Sequence, residues 1–340
     1  MNHLAAWLTV WALMGSAQSQ VVLPQAAAGP QAGTAQPSVE KWLLRLHEVA
    51  SQRAYVGTFV LTAGNYMSSA RIWHVCEGSQ QIERVEALTG VRRSTYRRND
   101  QVMTYLPESR EAIAEKRESL GLFPSLLSRA DLSIAQYYRL EAMGTDRVAG
   151  FGADVVRLVP RDHWRFGYRV WTERATGMVI KLQTIDAGQS VLEQAAFSDL
   201  QMTQPLSLAK LSAMMDNTDG YVVKKPELIP TSADQQGWHL KAAVPGFKSM
   251  SCHKRQEPGV GVNEGPLQWV FSDGLASVSL FIEAFDGARH KTPQHHHQYR
   301  YLLGATHMQT RRIGDWWLTA VGEVPQQTLQ RFAQSLERNR

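Results

Sequence analysis

The feature that most constrains the fold is a two-residue alternation of side chains, which begins at Tyr55 and returns between turn signals as far as Leu200. Alternation places successive side chains on opposite faces of a β-strand, and the Gly64-Asn65 pair supplies a tight turn after the first strand. Further strands are predicted over 69–76, 81–87, 92–98, 101–105, 137–143, 152–160, 168–172, 179–186 and 191–200. The pattern therefore predicts a run of antiparallel hairpins, curved or barrel-like.

One amphipathic helix precedes these strands. Ser38 is a good N-cap residue, Glu40 favours a helix N-terminus, and apolar residues recur at helical spacing from Trp42 to Val49. A helix followed by an antiparallel meander predicts an α+β fold. Residues 108–127 break the strand rhythm, and we predict a long loop or a helical excursion there.

Two domains are expected, because 340 residues exceed what one core usually supports. Residues 214–230 are polar and lack periodicity, which predicts a linker. New strands follow Trp238, and Pro325 opens a final helix with a buried stripe of Leu329, Phe332 and Leu336. We predict an N-terminal domain over 38–213, the linker over 214–230 and a smaller α+β C-terminal domain over 231–340.

The N-terminus predicts export. Residues 4–14 are almost purely apolar, and small residues follow at 15–17, as in the apolar region and cleavage zone of a secretory signal peptide. The apolar run is too short to span a membrane, and no cysteine follows it for lipidation. Residues 18–37 are rich in Ala, Gln, Gly and Pro. We predict a signal peptide over 1–19, cleaved on export, and a flexible tether over 20–37.

The formal charge of +5 is a modest basic excess, which weakly favours an anionic partner. Nucleic acid is the least expected, because no long Lys/Arg tract or helix-turn-helix pattern is present. Four clustered arginines, at positions 92, 93, 97 and 98, can be interpreted in two ways. They either receive a phosphate or carboxylate or, as we slightly favour, protect a solvated sheet edge.

Catalytic patterns are absent from the sequence. It contains no G-x-S-x-G, H-E-x-x-H, P-loop, G-x-G-x-x-G or paired C-x-x-C motif. We therefore predict a binding protein rather than an enzyme, with no catalytic residue, cofactor or metal. The run His295-His296-His297 invites a metal interpretation, but adjacent histidines point in different directions and a solvated loop is favoured.

Two further features leave alternatives open. Cys76 and Cys252 could form a disulfide after export, although two separate thiols are favoured because nothing in the sequence brings them together. A curved sheet with a helix across its mouth can hold a lipid, whereas the same aromatic residues could simply form a sheet core. The candidates for lining such a cavity are Trp42, Leu46, Phe59, Trp73, Tyr105, Tyr168 and Trp171.

Several short motifs stand out along the chain. In the first half they are YVGTF at 55–59, RVAG at 147–150, PRD at 160–162, YRVW at 168–171 and TG at 176–177. In the second half they are FSDGLASVS at 271–279, FIE at 281–283 and VGEVP at 321–325. Together, and in this order, these motifs resemble the RseB/MucB family of periplasmic regulators of the sigma-E (AlgU) envelope stress response. The resemblance runs from about residue 39 to the C-terminus.

The resemblance implies a periplasmic protein whose N-terminal domain is similar to the lipoprotein carriers LolA and LolB, an unclosed antiparallel barrel with helices. It implies that the protein binds the periplasmic region of an RseA- or MucA-type anti-sigma factor and protects that factor from regulated proteolysis. Amphiphilic lipid or lipoprotein acyl chains would release it. The candidates for contacting the partner are Ser272, Asp273, Ser277, Ser279, Phe281, Glu283 and Glu323. A LolA/LolB-type lipid carrier is the alternative function, and a homodimer is left open.

Overall fold

The computed structural model describes residues 38–78, 80–116, 123–124, 132–202, 207–256, 265–290 and 300–339. The described residues belong to one compact unit. The predicted signal peptide and tether, at 1–37, and the three consecutive histidines lie outside the described residues. No helix among the residues described is both long and apolar enough to cross a membrane.

Twelve of the described strands form one sheet. They are β1 Tyr55–Ala63, β2 Tyr66–Glu77, β3 Gln80–Ala87, β4 Ser94–Arg98, β5 Gln101–Leu106, β6 Glu111–Lys116, β7 Tyr138–Val148, β8 Phe151–Pro160, β9 Gly167–Glu173, β10 Val179–Ile185, β11 Val191–Gln201 and β12 Val222–Lys224. The spatial order is β12-β6-β5-β4-β3-β2-β1-β11-β10-β9-β8-β7. All pairs are antiparallel except the short parallel pair β12–β6. Because β12 and β7 are separate edges, the barrel is unclosed.

The first helix, α1, spans Val39–Gln52 and lies against this sheet. Ser38 caps it, because its hydroxyl accepts a hydrogen bond from the Lys41 backbone N–H at 3.3 Å. The buried side chains of Trp42, Leu43 and Leu46 join the core on one face of the sheet. Helical spacing of apolar residues therefore produced the helix that the sequence predicts, and the predicted α+β fold is confirmed.

A second helix, α2, spans Leu208–Asp216 and covers the other face of strands β2 to β6. Its buried Leu211 and Met215 pack with the small cluster on that face. The hydroxyl of Tyr105 donates a hydrogen bond to the Met215 carbonyl at 2.6 Å. Both faces of this part of the sheet are therefore covered, one by α1 and one by α2.

The prediction of a loop or helical excursion over 108–127 is wrong for residues 111–116. These residues form β6, which pairs with β5 in continuous register. The charges of Glu111, Glu115 and Lys116 concealed the strand, whose buried anchor is the small Ala112. Charged side chains are ordinary on a strand near the edge of a sheet.

The second sheet belongs to the C-terminal part of the chain. Its described strands are β13 Glu227–Pro230, β15 Lys248–Gln256, β16 Leu267–Ser272, β17 Ser277–Ala284, β18 Arg300–Leu303, β19 Thr306–Ile313 and β20 Trp316–Gly322. Their order is β13-β15-β16-β17-β20-β19-β18. A separate pair joins β14 Trp238–Leu240 to β21 Leu336–Arg338. Two 3₁₀ turns occupy Leu132–Gln136 and Asp234–Gln236.

The final helix, α3, spans Gln326–Ser335 and begins immediately after Pro325. Leu329, Phe332 and Ala333 are buried in the core of the second sheet. Leu336 is also fully buried, but it lies in β21 rather than in the helix as the sequence predicted. The chain leaves the helix there because Leu336 pairs with Leu240 in an antiparallel ladder.

Candidate functional site

The residues predicted to line a lipid cavity divide between the two faces of the first sheet. Five of them belong to the core cluster that includes α1, namely Trp42, Leu46, Phe59, Tyr168 and Trp171. Within this cluster Trp171 faces away from Tyr168, because the two are three residues apart on β9. Trp73 and Tyr105 instead belong to the cluster beneath α2. Adjacent residues of a strand face opposite ways, so Ile72, which packs beneath α1, forces Trp73 to the other side. The seven candidates therefore do not all face one interior, and which of them line a lipid cavity stays a prediction.

Aromatic rings fill the part of the interior beneath α1. The Phe123 ring lies 5.5 Å from that of Phe59 and 4.9 Å from that of Phe197, centroid to centroid. Packing is so close that a Cβ on Gly57 would lie 2.5 Å from the Phe197 ring. Phe123 comes from the segment that the sequence assigned to a loop or helical excursion. An acyl chain could enter here only by displacing a ring such as that of Phe123.

The same face becomes polar toward β3 and β4. Arg97 Nε donates to Glu83 Oε1 at 2.6 Å, and both side chains are largely buried. The Tyr55 ring stacks on His74 at 5.2 Å, and burial followed by the nearby Glu83 carboxylate raises the pKa of Tyr55. The interior is thus a packed apolar core of aromatic rings bordered by a buried ion pair.

The four clustered arginines do not form one anion site. Arg97 is buried within the sheet, whereas Arg98 makes a two-pronged contact with Asp216 of α2 at 2.8 and 3.0 Å. Arg92 and Arg93 are exposed beside the β3–β4 turn. Alternation along β4 separates these side chains, so the phosphate-binding interpretation has no shared geometry to support it.

A buried ion pair joins the two sheets. Arg165, in the β8–β9 connection, places Nη1 2.6 Å from Oδ2 of Asp273, and neither side chain has any exposed area. The guanidinium also donates to Asp162 at 2.9 Å and to the Pro245 carbonyl at 2.8 Å. Tyr138 donates its hydroxyl to the same Asp273 carboxylate at 3.3 Å. Each of the three nitrogens of the Arg165 guanidinium therefore has a hydrogen-bond acceptor.

Two of the predicted partner-binding residues, Ser272 and Asp273, shape a turn. Asp273 Oδ1 accepts the backbone N–H groups of Leu275 and Ala276 at 2.9 and 2.8 Å. The Ser272 hydroxyl donates to the Ala276 carbonyl at 2.8 Å and accepts from the Gly274 N–H at 2.9 Å. The SDGLA part of the motif thus closes the β16–β17 hairpin. Its aspartate is buried, so in this arrangement it is not available to a partner.

Four other partner-binding candidates share one face of β17. Val278, Leu280 and Ile282 are buried on the side of α3, so alternation places the intervening residues on the opposite side. We call this set the β17 outer face; it consists of Ser277, Ser279, Phe281 and Glu283. Glu283 contacts His290 Nε2 at 3.3 Å, and Ser279 accepts a weak hydrogen bond from Gln268 at 3.4 Å. These side chains are at least partly accessible.

Glu323, the remaining candidate, follows β20 and lies near Glu193 of the first sheet. Desolvation, followed by the charge of Glu193, raises the pKa of Glu323 to about 7, and solvent screening weakens this shift because the Glu323 side chain is exposed. Desolvation also raises the pKa of Glu193, whose carboxylate accepts from the Ala305 N–H at 3.3 Å. Glu323 therefore belongs to the junction between the sheets as well as to the surface.

Cys76 and Cys252 are free thiols. Cys76 lies on β2 of the first sheet and Cys252 on β15 of the second. Burial raises the pKa of both thiols, that of Cys252 to about 11. Both are consequently protonated and weakly nucleophilic near neutral pH.

Taken together, the fold defines a two-sheet α+β protein with a covered, aromatic interior in one part and an accessible strand face in the other. The sequence matches the models of two protein-family domains, one after the other. They are the MucB/RseB N-terminal domain over residues 38–215 and the MucB/RseB C-terminal domain over residues 232–337. The chain belongs to the MucB/RseB family.

Individual relatives agree with this assignment. The chain is 30% identical to the sigma factor AlgU regulatory protein MucB of Pseudomonas aeruginosa over 305 residues, which covers 87% of this chain and 89% of that protein. It is 23% identical to the sigma-E factor regulatory protein RseB of Escherichia coli K12 over 300 residues, covering 87% and 89%.

Solved structures show the same architecture. The structure of MucB in complex with MucA(peri) matches with a TM-score of 0.64 at 27% identity, covering 88% of this chain and 98% of that chain. The Pseudomonas aeruginosa MucA/MucB complex matches with a TM-score of 0.65 at 24% identity, covering 88% and 99%. The similarity extends across both sheets rather than over one domain alone.

Proposed function

We propose that this protein binds the periplasmic segment of an anti-sigma factor of the MucA/RseA type and protects it from regulated proteolysis. By doing so it would restrain a sigma-E/AlgU envelope stress response. The observation that carries the proposal is the match to MucB over both domains, since MucB has been crystallised with MucA(peri). Regulation by binding requires no catalytic residue in this chain.

The β17 outer face is our proposed contact surface for this partner. Phe281 offers a large apolar side chain on an accessible strand, and Ser277, Ser279 and Glu283 surround it with polar groups. An apolar centre with a polar rim is the usual composition of a specific interface. Ser272 and Asp273 contribute indirectly, because they set the hairpin from which this face extends.

Partner binding can be measured by titration calorimetry with the periplasmic segment of the same organism's anti-sigma factor. We expect a stoichiometric complex, and we expect Phe281→Arg to weaken it at least tenfold by placing a charge at the centre of the interface. Val191→Arg, at an exposed position of the first sheet, is the matched control and should bind normally. Equal binding by both variants would remove the β17 outer face from the proposal.

The interior beneath α1 is our proposed site for the acyl chain of an amphiphilic lipid or lipoprotein. Its support is the unclosed barrel with an aromatic interior in which the Phe123 ring packs against those of Phe59 and Phe197. A ligand that binds the free protein better than the partner-bound protein must weaken the partner complex by the same factor. An amphiphile would therefore release the anti-sigma factor to its protease.

A LolA/LolB-type lipid carrier is the second candidate, and the same interior favours it. The two functions differ in what they require of the C-terminal domain. A carrier delivers lipid whether or not Phe281 is intact, whereas anti-sigma binding depends on that residue. Transfer of a radiolabelled lipoprotein between membranes would support the carrier, and its absence together with partner binding supports the regulator.

The site of action that we propose is the periplasm, reached by cleavage of a signal peptide within residues 1–19. The support is the apolar run over 4–14 and the periplasmic setting that the family resemblance implies. Mass spectrometry of the protein recovered from a periplasmic extract should give a mature chain that begins near residue 20. Recovery of the full-length chain from the cytoplasm would contradict this localisation.

A further inference from the structure

The C-terminal domain contains a cavity that neither the proposed partner surface nor the proposed lipid site uses. Its volume is about 580 Å³, within the ~300–1,000 Å³ range of ligand-binding cavities. Phe247, Phe271 and Phe332 form an aromatic floor, in which the Phe332 ring lies 5.6 Å from Phe247 and 4.9 Å from Phe271. Trp269 and Cys252, on the neighbouring strands β16 and β15, contribute to the wall.

The rim of this cavity is polar but carries little charge. Hydroxyl groups of Thr231, Ser232, Ser249 and Ser251 line it, and Asp234 is the one carboxylate among the described lining residues. No lysine or arginine occurs among those lining residues. The Nδ1 atom of His239 is buried at the rim without a hydrogen-bond partner.

The polar groups of the rim favour some classes of ligand over others. A fatty acid, phospholipid or other anionic amphiphile would need a cationic side chain for its headgroup, and here Asp234 would repel it instead. A peptide suits the rim better, since hydroxyls and an imidazole nitrogen hydrogen-bond to backbone N–H and C=O groups. The negative rim further favours a lysine or arginine close to the inserted side chain.

We propose that the cavity receives a large apolar side chain, aromatic or branched, from the anti-sigma segment, with a basic residue of that segment beside Asp234. This proposal rests on the proposed function. It adds that one side chain of the partner, which we call the anchor, inserts into the cavity and holds the segment there. Residues that fill a desolvated pocket at an interface dominate its binding energy. Met250, 53% exposed, marks the open side of the cavity.

The cavity and the β17 outer face lie on opposite sides of the second sheet, because Phe271 is buried in the same core as Val278 and Leu280. A compact partner could not reach both. An extended segment that orders only on binding can pass round the sheet edge and contact each face. The anchor therefore predicts a partner that binds as an extended chain.

Cys252 allows the cavity to be blocked after folding. The chain has two cysteines, so Cys76→Ser leaves Cys252 alone, and Cys252→Ser leaves Cys76 as the matched control. Each full-length variant is treated with a bulky aromatic methanethiosulfonate at alkaline pH, since the pKa of Cys252 is raised to about 11. Affinity for the anti-sigma segment is then measured before and after modification, with circular dichroism to check that the fold is retained.

We expect modification of Cys252 to weaken binding of the segment at least tenfold and modification of Cys76 to leave it unchanged. The segment should also slow the labelling of Cys252 but not that of Cys76. Unchanged affinity after Cys252 is blocked would overturn the anchor while leaving the proposed function intact. No binding by the unmodified proteins would overturn both. Protection of Cys252 by a single-chain fatty acid, but not by the segment, would show that the occupant is a lipid instead.

Discussion

Arg165 and Asp273 form an ion pair of 2.6 Å between the first and second sheets, and neither side chain has any exposed area. The pair is supported by hydrogen bonds to Asp162, to the Pro245 carbonyl and from the Tyr138 hydroxyl. Two more contacts join the same region, because Thr328 and Gln327 of α3 donate to the backbone carbonyls of residues 164 and 163. Relative movement of the sheets would have to break this set of contacts.

Asp273→Asn should therefore destabilise the protein strongly. The substitution leaves the buried Arg165 guanidinium with only the partly exposed Asp162 as counter-charge, and removal of one partner from a buried pair typically costs about 3–5 kcal/mol. The free energy of unfolding can be taken from urea denaturation at neutral pH. Asp154→Asn is the matched control, since the Arg174–Asp154 pair is exposed and should contribute at most ~1 kcal/mol. Equal losses in the two variants would contradict the structural role of the Asp273 pair.

Stability should fall as the pH rises toward 7 through the titration of Glu323. Its pKa in the folded protein is about 7, above the ordinary 4.5, so folding favours the protonated form. The stability that the protonated Glu323 carboxyl contributes is complete below its ordinary pKa of 4.5. It is lost as the pH rises through the pKa of about 7 in the folded protein. Glu323→Gln should flatten this part of the pH profile. Urea midpoints measured between pH 4.5 and 8 test it, and identical profiles for the two proteins would refute the account of this carboxylate.

The two faces of the first sheet should respond differently to mutation when acyl-chain binding is measured. Phe123→Ala removes a ring packed against Phe59 and Phe197, so it should destabilise the protein and yet tighten binding of a fluorescent fatty acid several-fold. Trp73→Ala, on the opposite face, is the control and should leave that binding unchanged. If Trp73 proves the more important residue, the acyl chain does not bind beneath α1.

Both cysteines should titrate as thiols in the exported protein. They lie on different sheets and are unbridged, so a denatured but unreduced sample is expected to give two thiols per chain with Ellman's reagent. A count of none would show that a disulfide forms in the oxidising compartment. A bond between the sheets would then constrain the same junction that Arg165 and Asp273 occupy.

Local patterns in the sequence predicted the elements of the fold well. The cap at Ser38, the alternation from Tyr55 and the proline before α3 each act over a few residues, and each appears where it was expected. The strand β6 was missed because its charged residues mask a short alternation. The segment predicted as a linker, 214–230, contains the end of α2 and the short strands β12 and β13, which are too short to show a period. Strand order, by contrast, depends on pairings such as β1 with β11, which connect residues far apart in the chain.

The site was harder to predict, because it depends on which face each side chain occupies and on contacts between distant segments. The aromatic character of Trp73 and Phe59 is visible in the sequence, but their separation by the sheet is not. A resemblance also marks a motif without saying what each residue does. Asp273 lies in the most specific stretch, and its carboxylate pairs with Arg165 instead of facing outward.

Protease protection tests the central claim most directly. The periplasmic segment of the organism's anti-sigma factor is incubated with the protease that cleaves it, with and without a stoichiometric excess of this protein, and the initial rate of cleavage is followed by gel electrophoresis. The account predicts that the protein slows cleavage at least tenfold, and that a saturating amphiphile restores it. Cleavage at the same rate with and without the protein would contradict the proposed function.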